Sequence, residues 1–366
     1  MNNHLKTSIY LSLLLAVFLI LPKISHAADF YVDPVSGSMS NDGSQAHPWS
    51  TMQAVWDNGK INTRKYGNGP NPTPPYTYIA VNPSGPVHAG DTIYLLSGYH
   101  GDLVIIGALN TDFITVKAAT GANPTFRHID LLAASKWIFD GISVSPSYDL
   151  THLASAVFEA PQNDYQGPSS DITLKNSEVF SIPDITGITQ EYWMANATRG
   201  VFFSHAPNCI IDNVKIYNVT SGVQINASPY CELKNSEIKN VMGDGVGISQ
   251  ADYLKIEYNV IKNIFDPPAV LGLHTDLIQF SSDGIMANAM TGVEVRGNTV
   301  MVHEDENQQF VGPTQGISGF DGFFKDFVIE NNLVMVGMYH GISLYGTINS
   351  RIVNNTCVIP RDNDIY

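Results

Sequence analysis

The chain has 366 residues, with 34 acidic and 19 basic side chains, so its formal net charge is −15. Such an acidic balance excludes nucleic acid as an expected partner, because a polyphosphate backbone is bound mainly through lysine and arginine. Three cysteines are too few for a disulfide framework, and they do not have the spacing of a metal site.

The chain begins with a predicted secretory signal peptide over residues 1–27. It contains Lys6, an apolar run over residues 9–21 and a small residue at its end, Ala27. The apolar run is too short for a comfortable membrane span, so we expect cleavage near residue 28 and a secreted protein, extracellular or periplasmic. Loss of Lys6 and Lys23 with the signal takes the formal charge to about −17.

A repeat of 22 to 24 residues organises the rest of the chain. Each unit combines short alternating strands with an asparagine, and the asparagines are Asn176, Asn213, Asn235, Asn259, Asn298, Asn332 and Asn355. This period is typical of a parallel β-helix, in which equivalent residues of successive coils stack about 4.8 Å apart. Stacked asparagine amides bond along such a column at a bend. We therefore predict an all-β solenoid forming a single domain over residues 28–366.

The strand after each bend alternates, which predicts a core-facing set. Its members are Val201, Phe203, Val223, Ile225, Val246, Ile248, Ile278, Phe280, Ile317, Ile342 and Leu344. Cys209 and Cys231 fall at equivalent places in consecutive repeats and are expected to be small buried side chains, with oxidation of a stacked pair as the alternative. No polar cap follows the strand after Asn355, which predicts a truncated chain or an end covered by a partner.

The first mature residues carry a family resemblance. Residues 30–55, which read FYVDPVSGSMSNDGSQAHPWSTMQAV, and residues 89–102, which read AGDTIYLLSGYHGD, resemble the opening of pectate-lyase-like β-helix proteins. The resemblance implies a right-handed parallel β-helix with an N-terminal capping segment. It also implies a polysaccharide ligand, since the superfamily includes polysaccharide lyases, some glycoside hydrolases, uronan epimerases and phage tailspikes.

Insertions and polar residues gather on one face of the predicted solenoid. Three insertions, at residues 181–198, 266–275 and 303–314, leave from the same corner and are expected to form a wall beside one sheet; a further one covers residues 281–290. The strands beside them align to give an edge column of Arg199, Ser221, Asp244, Asp276, Gln315 and His340. The outward neighbours of these residues are Phe202, Gln224, Gly247, Gln279, Ser318 and Ser343. We place the active or binding site on this face.

Asp244 and Asp276 fall on neighbouring coils, about 5 Å apart. Carboxylates this close repel each other unless one is protonated or both share a cation. Three interpretations stay open: a calcium site begun by Asp244, Asp276 and Gln279, the nucleophile and acid/base pair of a retaining glycosidase, and a purely structural role in turns.

Other side chains of the face have candidate catalytic roles. His274 and His340 are candidate general bases because imidazole titrates near neutral pH, with loop packing as the alternative. Arg199 is a candidate for bidentate binding of a substrate carboxylate, or it forms a surface salt bridge with an acid such as Glu191.

Five further residues are candidates for binding substrate. They are Gln224, Gln279 and Gln315 from the aligned strands, and Tyr192 and Trp193 from the first insertion, whose rings are of the kind that stacks on sugars or packs in a loop core.

We expect a secreted carbohydrate-active enzyme, with a β-elimination lyase as the leading reaction. In that reaction calcium at Asp244 and Asp276, together with Arg199, acidifies the C5 proton of a uronate, and His274 or His340 removes it. Hydrolysis by the two aspartates is the first alternative, and a non-catalytic glycan-binding module or adhesin is the second. The acidic charge opposes a polyanionic substrate unless calcium reverses the local sign.

Overall fold

The computed structural model describes residues 27–149, 155–265, 275–305, 308–310 and 312–359. The predicted signal peptide, apart from its last residue, lies outside these ranges. Within them the chain winds into coils whose strands stack in three parallel sheets around one hydrophobic core, as predicted. We call these sheets 1, 2 and 3, in the order in which each coil passes through them. Among the described residues no helix is long and apolar enough to cross a membrane.

Two long strands bend from sheet 1 into sheet 2, so each contributes to both: Asp102–Ala118 and His128–Asp140. Sheet 1 continues with Ala156–Ala160, Arg199–Ser204, Val223–Asn226, Val246–Ser249, Asp276–Ser281, Gln315–Asp321 and Ile342–Leu344. Sheet 2 also contains Asp29–Val32, Thr92–Leu95, Ser170–Lys175, Ile210–Asp212, Glu232–Lys234, Lys255–Glu257, Glu294–Arg296, Val328–Glu330 and Arg351–Val353. Sheet 3 contains Gly98–Tyr99, Pro124–Phe126, Ser143–Val144, Glu178–Phe180, Lys215–Val219, Glu237–Met242, Val260–Phe265, Thr299–Met301, Leu333–Met335 and Thr356–Val358.

The remaining elements are short. An antiparallel pair joins Thr63–Tyr66 to Tyr78–Val81. A small parallel sheet contains Met290–Thr291, Phe324–Lys325 and Thr347–Ile348. Among the described residues, the α-helices are Met52–Asp57 and Gln190–Asn196, and the 3-10 turns are Pro146–Tyr148 and Met286–Asn288.

The N-terminal segment caps the first coil, as the resemblance implied. Strand Asp29–Val32 pairs in parallel with the next strand of sheet 2, and Met52–Asp57 follows it as a short helix. Thr51 begins this helix by accepting a 3.2 Å hydrogen bond from the N–H three residues later. Gln53 accepts the backbone N–H of Val104 at 2.7 Å, which pairs a group on the open edge of the first coil.

The predicted core-facing side chains point inward. Nine of the eleven are at most 2% exposed, and Ile342 and Leu344 in the last strand of sheet 1 are partly buried. Cys209 and Cys231 are buried free thiols, and burial is the main cause that raises the pKa of Cys209. The alternation of the strands therefore predicted the inward face correctly.

The predicted asparagine column divides into two neighbouring columns. Three members occupy an exposed bend position with left-handed backbone: Asn176, Asn213 and Asn235. The other four lie one position later, inside the bend, where each side-chain oxygen accepts a backbone N–H from the preceding coil: Asn259, Asn298, Asn332 and Asn355. The prediction of a single asparagine column was therefore wrong. Asparagine suits both the left-handed bend and the interior ladder, so its presence did not separate the two positions.

A second asparagine ladder, absent from the prediction, runs through sheet 3. Asn240 donates to Asn218 at 2.9 Å and Asn263 donates to Asn240 at 3.2 Å, and all three have left-handed backbone. Asn218 also donates to the carbonyl oxygen of Ile182 at 2.8 Å, which fixes the base of the first insertion. This ladder therefore helps to position the wall beside sheet 1.

Candidate functional site

The six residues of the predicted edge column occupy equivalent positions on successive strands of sheet 1. Asp276 pairs with Gln315. At the other steps of the column, the backbone N–H of the glycine after one edge residue donates to the carbonyl oxygen of the next edge residue, as for Gly200, Gly222, Gly245 and Gly316. Five strand steps separate Arg199 from His340, which at about 4.8 Å per step is roughly 24 Å. The column is therefore one line of side chains, but it is too long to act on a single sugar residue.

A line of glycines makes this alignment possible. Gly222 follows Ser221, and a Cβ atom on Gly222 would lie only 2.3 Å from the carbonyl oxygen of Gly245 in the next coil. A Cβ atom on Gly245 would likewise lie only 2.6 Å from the carbonyl oxygen of Leu277 in the following coil. Close backbone approach therefore requires glycine here, and it brings the preceding side chains of neighbouring coils into register.

Asp244 and Asp276 are neighbours with different environments. Oδ1 of Asp244 accepts the backbone N–H of Asp276 at 3.0 Å, and Oδ2 of Asp276 accepts Nε2 of Gln279 at 2.9 Å. Asp276 has no exposed surface. Asp244 thus supports the backbone of the next coil, and the carboxyl group of Asp276 is closed off from solvent.

Calcium at Asp244 and Asp276 stays a prediction. Both carboxylates already accept hydrogen bonds from the protein, and the described residues contain no group of three or more His, Cys, Asp or Glu side chains arranged to hold a metal. Calcium usually takes six to eight oxygen ligands. We therefore derive no step through this ion.

Gln315 and His340 form a contact at the far end of the column. Nδ1 of His340 lies 2.6 Å from Oε1 of Gln315, and the ring of Phe320 lies 4.9 Å from the imidazole. His340 is partly exposed but is held by these neighbours. His274, the other predicted base, lies outside the described residues.

The outward residues next to the edge column also align across the coils. Phe202, Gln224, Gly247, Gln279, Ser318 and Ser343 pair one with the next in that order. Gln224 and Gln279 are partly exposed, whereas Ser318 is fully buried. The same column continues towards the N-terminus through Glu159 and Asp130. This outer face of sheet 1 is the candidate groove.

Arg199 lies over the groove rather than in a surface salt bridge with Glu191. Its guanidinium carbon is 4.7 Å from the ring centroid of Phe202, and the side chain is half-buried. Burial lowers the pKa of Arg199, and the charge of Glu159 opposes that change. Within the described part of the chain the guanidinium makes no hydrogen bond, so its donors face the groove unused.

The structure adds a cluster that the sequence analysis missed, formed by His128, Asp130 and Glu159. Nε2 of His128 lies 3.0 Å from Oε1 of Glu159, and Oδ1 of Asp130 is buried without a hydrogen-bond partner in the described chain. Burial, and then the charge of Glu159, raise the pKa of Asp130 to about 6, against a lowering effect of His128. Three titratable groups thus meet beside Arg199.

The missed cluster had a weak signal in the sequence. In HIDLL, His128 and Asp130 alternate with apolar residues, which is typical of outward positions on a strand. Glu159 lies 31 residues after His128, well outside the repeat of 22 to 24 residues. The irregular length of this early coil therefore hid their proximity.

The first insertion forms a small core of its own. Trp193 is fully buried, and its ring packs edge-on against Phe265 at 5.0 Å and against Phe310 at 5.7 Å. Of its two predicted roles, packing in a loop core is confirmed and stacking on sugars is wrong, because the ring is fully buried. Tyr192, its neighbour on helix Gln190–Asn196, is 51% exposed and stays a binding candidate.

The first and third insertions touch, which forms part of the predicted wall. Oε1 of Gln309 accepts the backbone N–H of Gly187 at 3.0 Å, and the ring of Phe310 stacks on Phe265 at 4.8 Å. Most of the second insertion, residues 266–274, lies outside the described residues. The wall seen in the structure therefore joins residues 308–310 to the first insertion.

Comparison with known proteins identifies the fold. The family described as "Right handed beta helix region" matches residues 165–357, more than half of the chain. The pectate lyase Pel9A is similar in structure, with a TM-score of 0.52 and 12% identity over 93% of this chain and 79% of that one. XylC, solved in complex with xylose, gives a TM-score of 0.54 and 9% identity over 91% and 70%. No curated protein matches in sequence. The chain belongs to the family of right-handed β-helix proteins.

Proposed function

We propose that this protein is a secreted polysaccharide lyase. It binds a uronate-containing glycan along the outer face of sheet 1 and cleaves it by β-elimination. The observation that carries the proposal is the guanidinium of Arg199, half-buried over Phe202 and facing the groove with its donors unused. A guanidinium binds a carboxylate through two parallel hydrogen bonds. Neutralising the carboxylate of a uronate makes the proton on its C5 carbon easier to remove.

The charge around Arg199 differs from that of the whole acidic chain, which would repel a polyanionic substrate. Arg199 balances Glu159, and the raised pKa of Asp130, about 6, keeps that carboxyl group largely protonated in mildly acidic solution. A bound uronate therefore meets a nearly neutral patch, although the whole chain carries −15. The similarity in fold to a pectate lyase agrees with such a substrate.

Hydrolysis is the second candidate, and the register of two carboxyl groups favours it. Asp130 and Glu159 are direct partners on neighbouring strands, about 4.8 Å apart in the sheet. A retaining glycosidase uses two carboxyl groups about 5–5.5 Å apart, one of which has a raised pKa. Against this candidate, Glu159 is only 3% exposed, which leaves little access for a nucleophile.

The test is a turnover assay on a panel of uronate and neutral polysaccharides with two readouts. Absorbance near 235 nm reports the unsaturated ends that elimination creates, and reducing-end titration reports every cleavage. We expect both signals to rise together on a uronate polymer. Reducing ends without absorbance would replace the lyase by a hydrolase. Binding without either signal, by a folded protein, would identify a glycan-binding module.

Two matched conditions sharpen this assay. Each substrate is run with added calcium and with a chelator, which tests the calcium prediction for Asp244 and Asp276 directly. Arg199→Lys keeps the charge but loses the bidentate geometry, so we expect the kcat/KM of this variant for a uronate polymer to fall about 10- to 100-fold. If the substrate is a neutral glycan, the same substitution should change kcat/KM little.

A further inference from the structure

We propose that His128 is the general base and Asp130 the general acid of the elimination, with Glu159 as the positioning residue for His128. The inference rests on the proposed lyase reaction and deepens it. It assigns the base differently from the two predictions, His340 and His274, the second of which lies outside the described residues. Since His340 lies roughly 24 Å from Arg199 along the sheet, the two cannot serve the same sugar residue.

The orientation of His128 is fixed by a buried carboxylate. Oε1 of Glu159 lies 3.0 Å from Nε2 of His128, and Oε2 of Glu159 accepts the hydroxyl of Ser155. The side chain of Glu159 is only 4% exposed, whereas that of His128 is 15% exposed. A carboxylate accepts hydrogen bonds, so in the tautomer that donates to Glu159 the hydrogen is on Nε2. Nδ1 therefore keeps its lone pair, which is the requirement for a base.

Asp130 is placed to act on the same sugar residue. It lies two positions after His128 on one strand, so both side chains face the groove, and their Cα atoms are about 6.6 Å apart. Oδ1 of Asp130 is buried and makes no hydrogen bond within the described chain. Burial and the neighbouring Glu159 raise its pKa to about 6. The carboxyl group therefore retains a proton that a leaving oxygen can take.

Arg199 completes the arrangement from two strands away. Glu159 lies on the strand between His128–Asp140 and Arg199–Ser204, and it pairs with Asp130 on one side and Phe202 on the other. Two strand steps are about 10 Å, and the guanidinium lies over the ring of Phe202, which pairs with Glu159. One bound uronate can therefore have its carboxylate at Arg199 and its C4–C5 bond at His128 and Asp130.

The reaction step balances on these groups alone. Nδ1 of His128 takes the proton from C5, and the electron pair of that C–H bond becomes the C4–C5 double bond. The C4–O4 bond breaks, its electron pair stays on O4, and Asp130 gives O4 a proton. The products are an unsaturated uronate end and a free hydroxyl group. The imidazolium and the Asp130 carboxylate then exchange one proton through water, which restores the starting state.

The experiment measures unsaturated product from the uronate polysaccharide that the wild-type protein cleaves. We expect His128→Gln and Asp130→Asn each to lower kcat by about 10²–10⁴-fold. The matched control is Asp140→Asn, which lies on the same long strand but in sheet 2, where it faces Lys175 at 3.5 Å. It should stay within about twofold of wild type.

A second readout separates the two roles. On a substrate whose C4 substituent is a nitrophenolate, the leaving group needs no proton, so Asp130→Asn should recover most of the lost rate and His128→Gln should not. The kcat/KM of the wild type should fall above about pH 6, where Asp130 loses its proton, and that limb should disappear in Asp130→Asn. Glu159→Gln should lower kcat and leave KM unchanged, a split that a merely structural role would not give.

Two kinds of failure are distinguishable. If the wild-type protein yields no unsaturated product on any uronate, the proposed function fails, and this inference fails with it. If the wild type is active and folded His128→Gln and Asp130→Asn keep more than a tenth of its kcat, only the assignment of base and acid is overturned. Thermal unfolding of each variant establishes that a loss of activity is not a loss of fold.

Discussion

The backbone N–H of Asp276 donates a 3.0 Å hydrogen bond to Oδ1 of Asp244, which lies on the preceding coil. A carboxylate in this position supports the sheet, because it pairs a backbone group where the chain enters the strand. Asp276 in turn is fully buried and accepts Nε2 of Gln279. The geometry thus favours the structural interpretation of the aspartate pair over the catalytic one.

Asp244→Ala should destabilise the fold more than it impairs catalysis. Loss of a charge-assisted hydrogen bond to a backbone N–H costs about 1.5–3 kcal/mol of unfolding free energy. Asp244→Asn keeps an acceptor oxygen, so it should cost less than about 1 kcal/mol. Urea denaturation checks both values. If Asp244→Asn instead unfolds normally but abolishes turnover, the aspartate pair regains its catalytic interpretation.

Asn298→Ala should be far more damaging than a change at the exposed bend column. Oδ1 of Asn298 accepts the N–H of Asn259 at 3.0 Å, and its amide donates to the carbonyl oxygen of Ile256 at 2.8 Å, all inside the bend. Leaving these groups unpaired should cost on the order of 2–4 kcal/mol. The control Asn213→Gly preserves a left-handed bend and should cost less than about 1 kcal/mol. Equal losses in denaturant melts would contradict the two-column arrangement.

The neighbours Trp193 and Tyr192 should respond in opposite ways. Trp193→Ala removes the centre of the insertion core and should lower stability by about 3–5 kcal/mol, or unfold the insertion locally. Tyr192→Ala removes an exposed ring, so we expect unchanged unfolding and weaker glycan binding by isothermal titration. A stable Trp193→Ala protein with lost binding would restore the predicted stacking role.

The stability of the protein should fall as the pH rises through the pKa of Asp130. The folded-state pKa of about 6 exceeds the ordinary value of 3.8, so the folded state binds this proton more tightly than the unfolded state. The stabilisation is complete below about pH 3.8 and is lost as the pH passes 6. Glu159 and His128 are the charged or titratable groups that act on this carboxyl group, and Arg199 in turn faces Glu159.

Comparison with Asp130→Asn isolates this effect, because the amide does not titrate. Between pH 4 and pH 7 the wild type should lose on the order of 1 kcal/mol relative to the variant, once solvent screening of this partly exposed group is allowed for. Chemical denaturation at fixed pH values measures the difference. A constant difference across the range would show that Asp130 ionises normally in the folded protein.

The sequence predicted the fold and the register of the groove because both follow from periodic constraints. The alternation at Val223 and Ile225 identified the core face. The glycines that follow the edge residues allow neighbouring coils to approach closely and so maintain their register. The predictions were wrong where one residue type suits two different positions. Asparagine occurs at both bend positions, and Trp193 suits a loop core as well as a sugar platform.

The acid and base candidates were missed for a topological reason. His128 and Glu159 lie on adjacent strands, yet the first long strands bend through two sheets and have no asparagine bend to mark their period. Arg199 was found because its coil belongs to the regular part of the repeat. Contacts between irregular coils depend on loop lengths, which periodicity does not encode.

The glycines that follow the edge-column residues affect which substitutions this surface tolerates. Where a glycine follows the edge residue, no side chain at that position reaches the adjacent coil, so the preceding residue can be exchanged without repacking its neighbours. Leu277 replaces the glycine after Asp276, and only there in the column is the edge residue followed by a buried side chain. Substitutions along the edge column should therefore be energetically independent of one another except where neighbouring coils are joined by side-chain hydrogen bonds, at Asp244 and Asp276 and at Gln315 and His340. The rest of the column is a row of separately adjustable subsites.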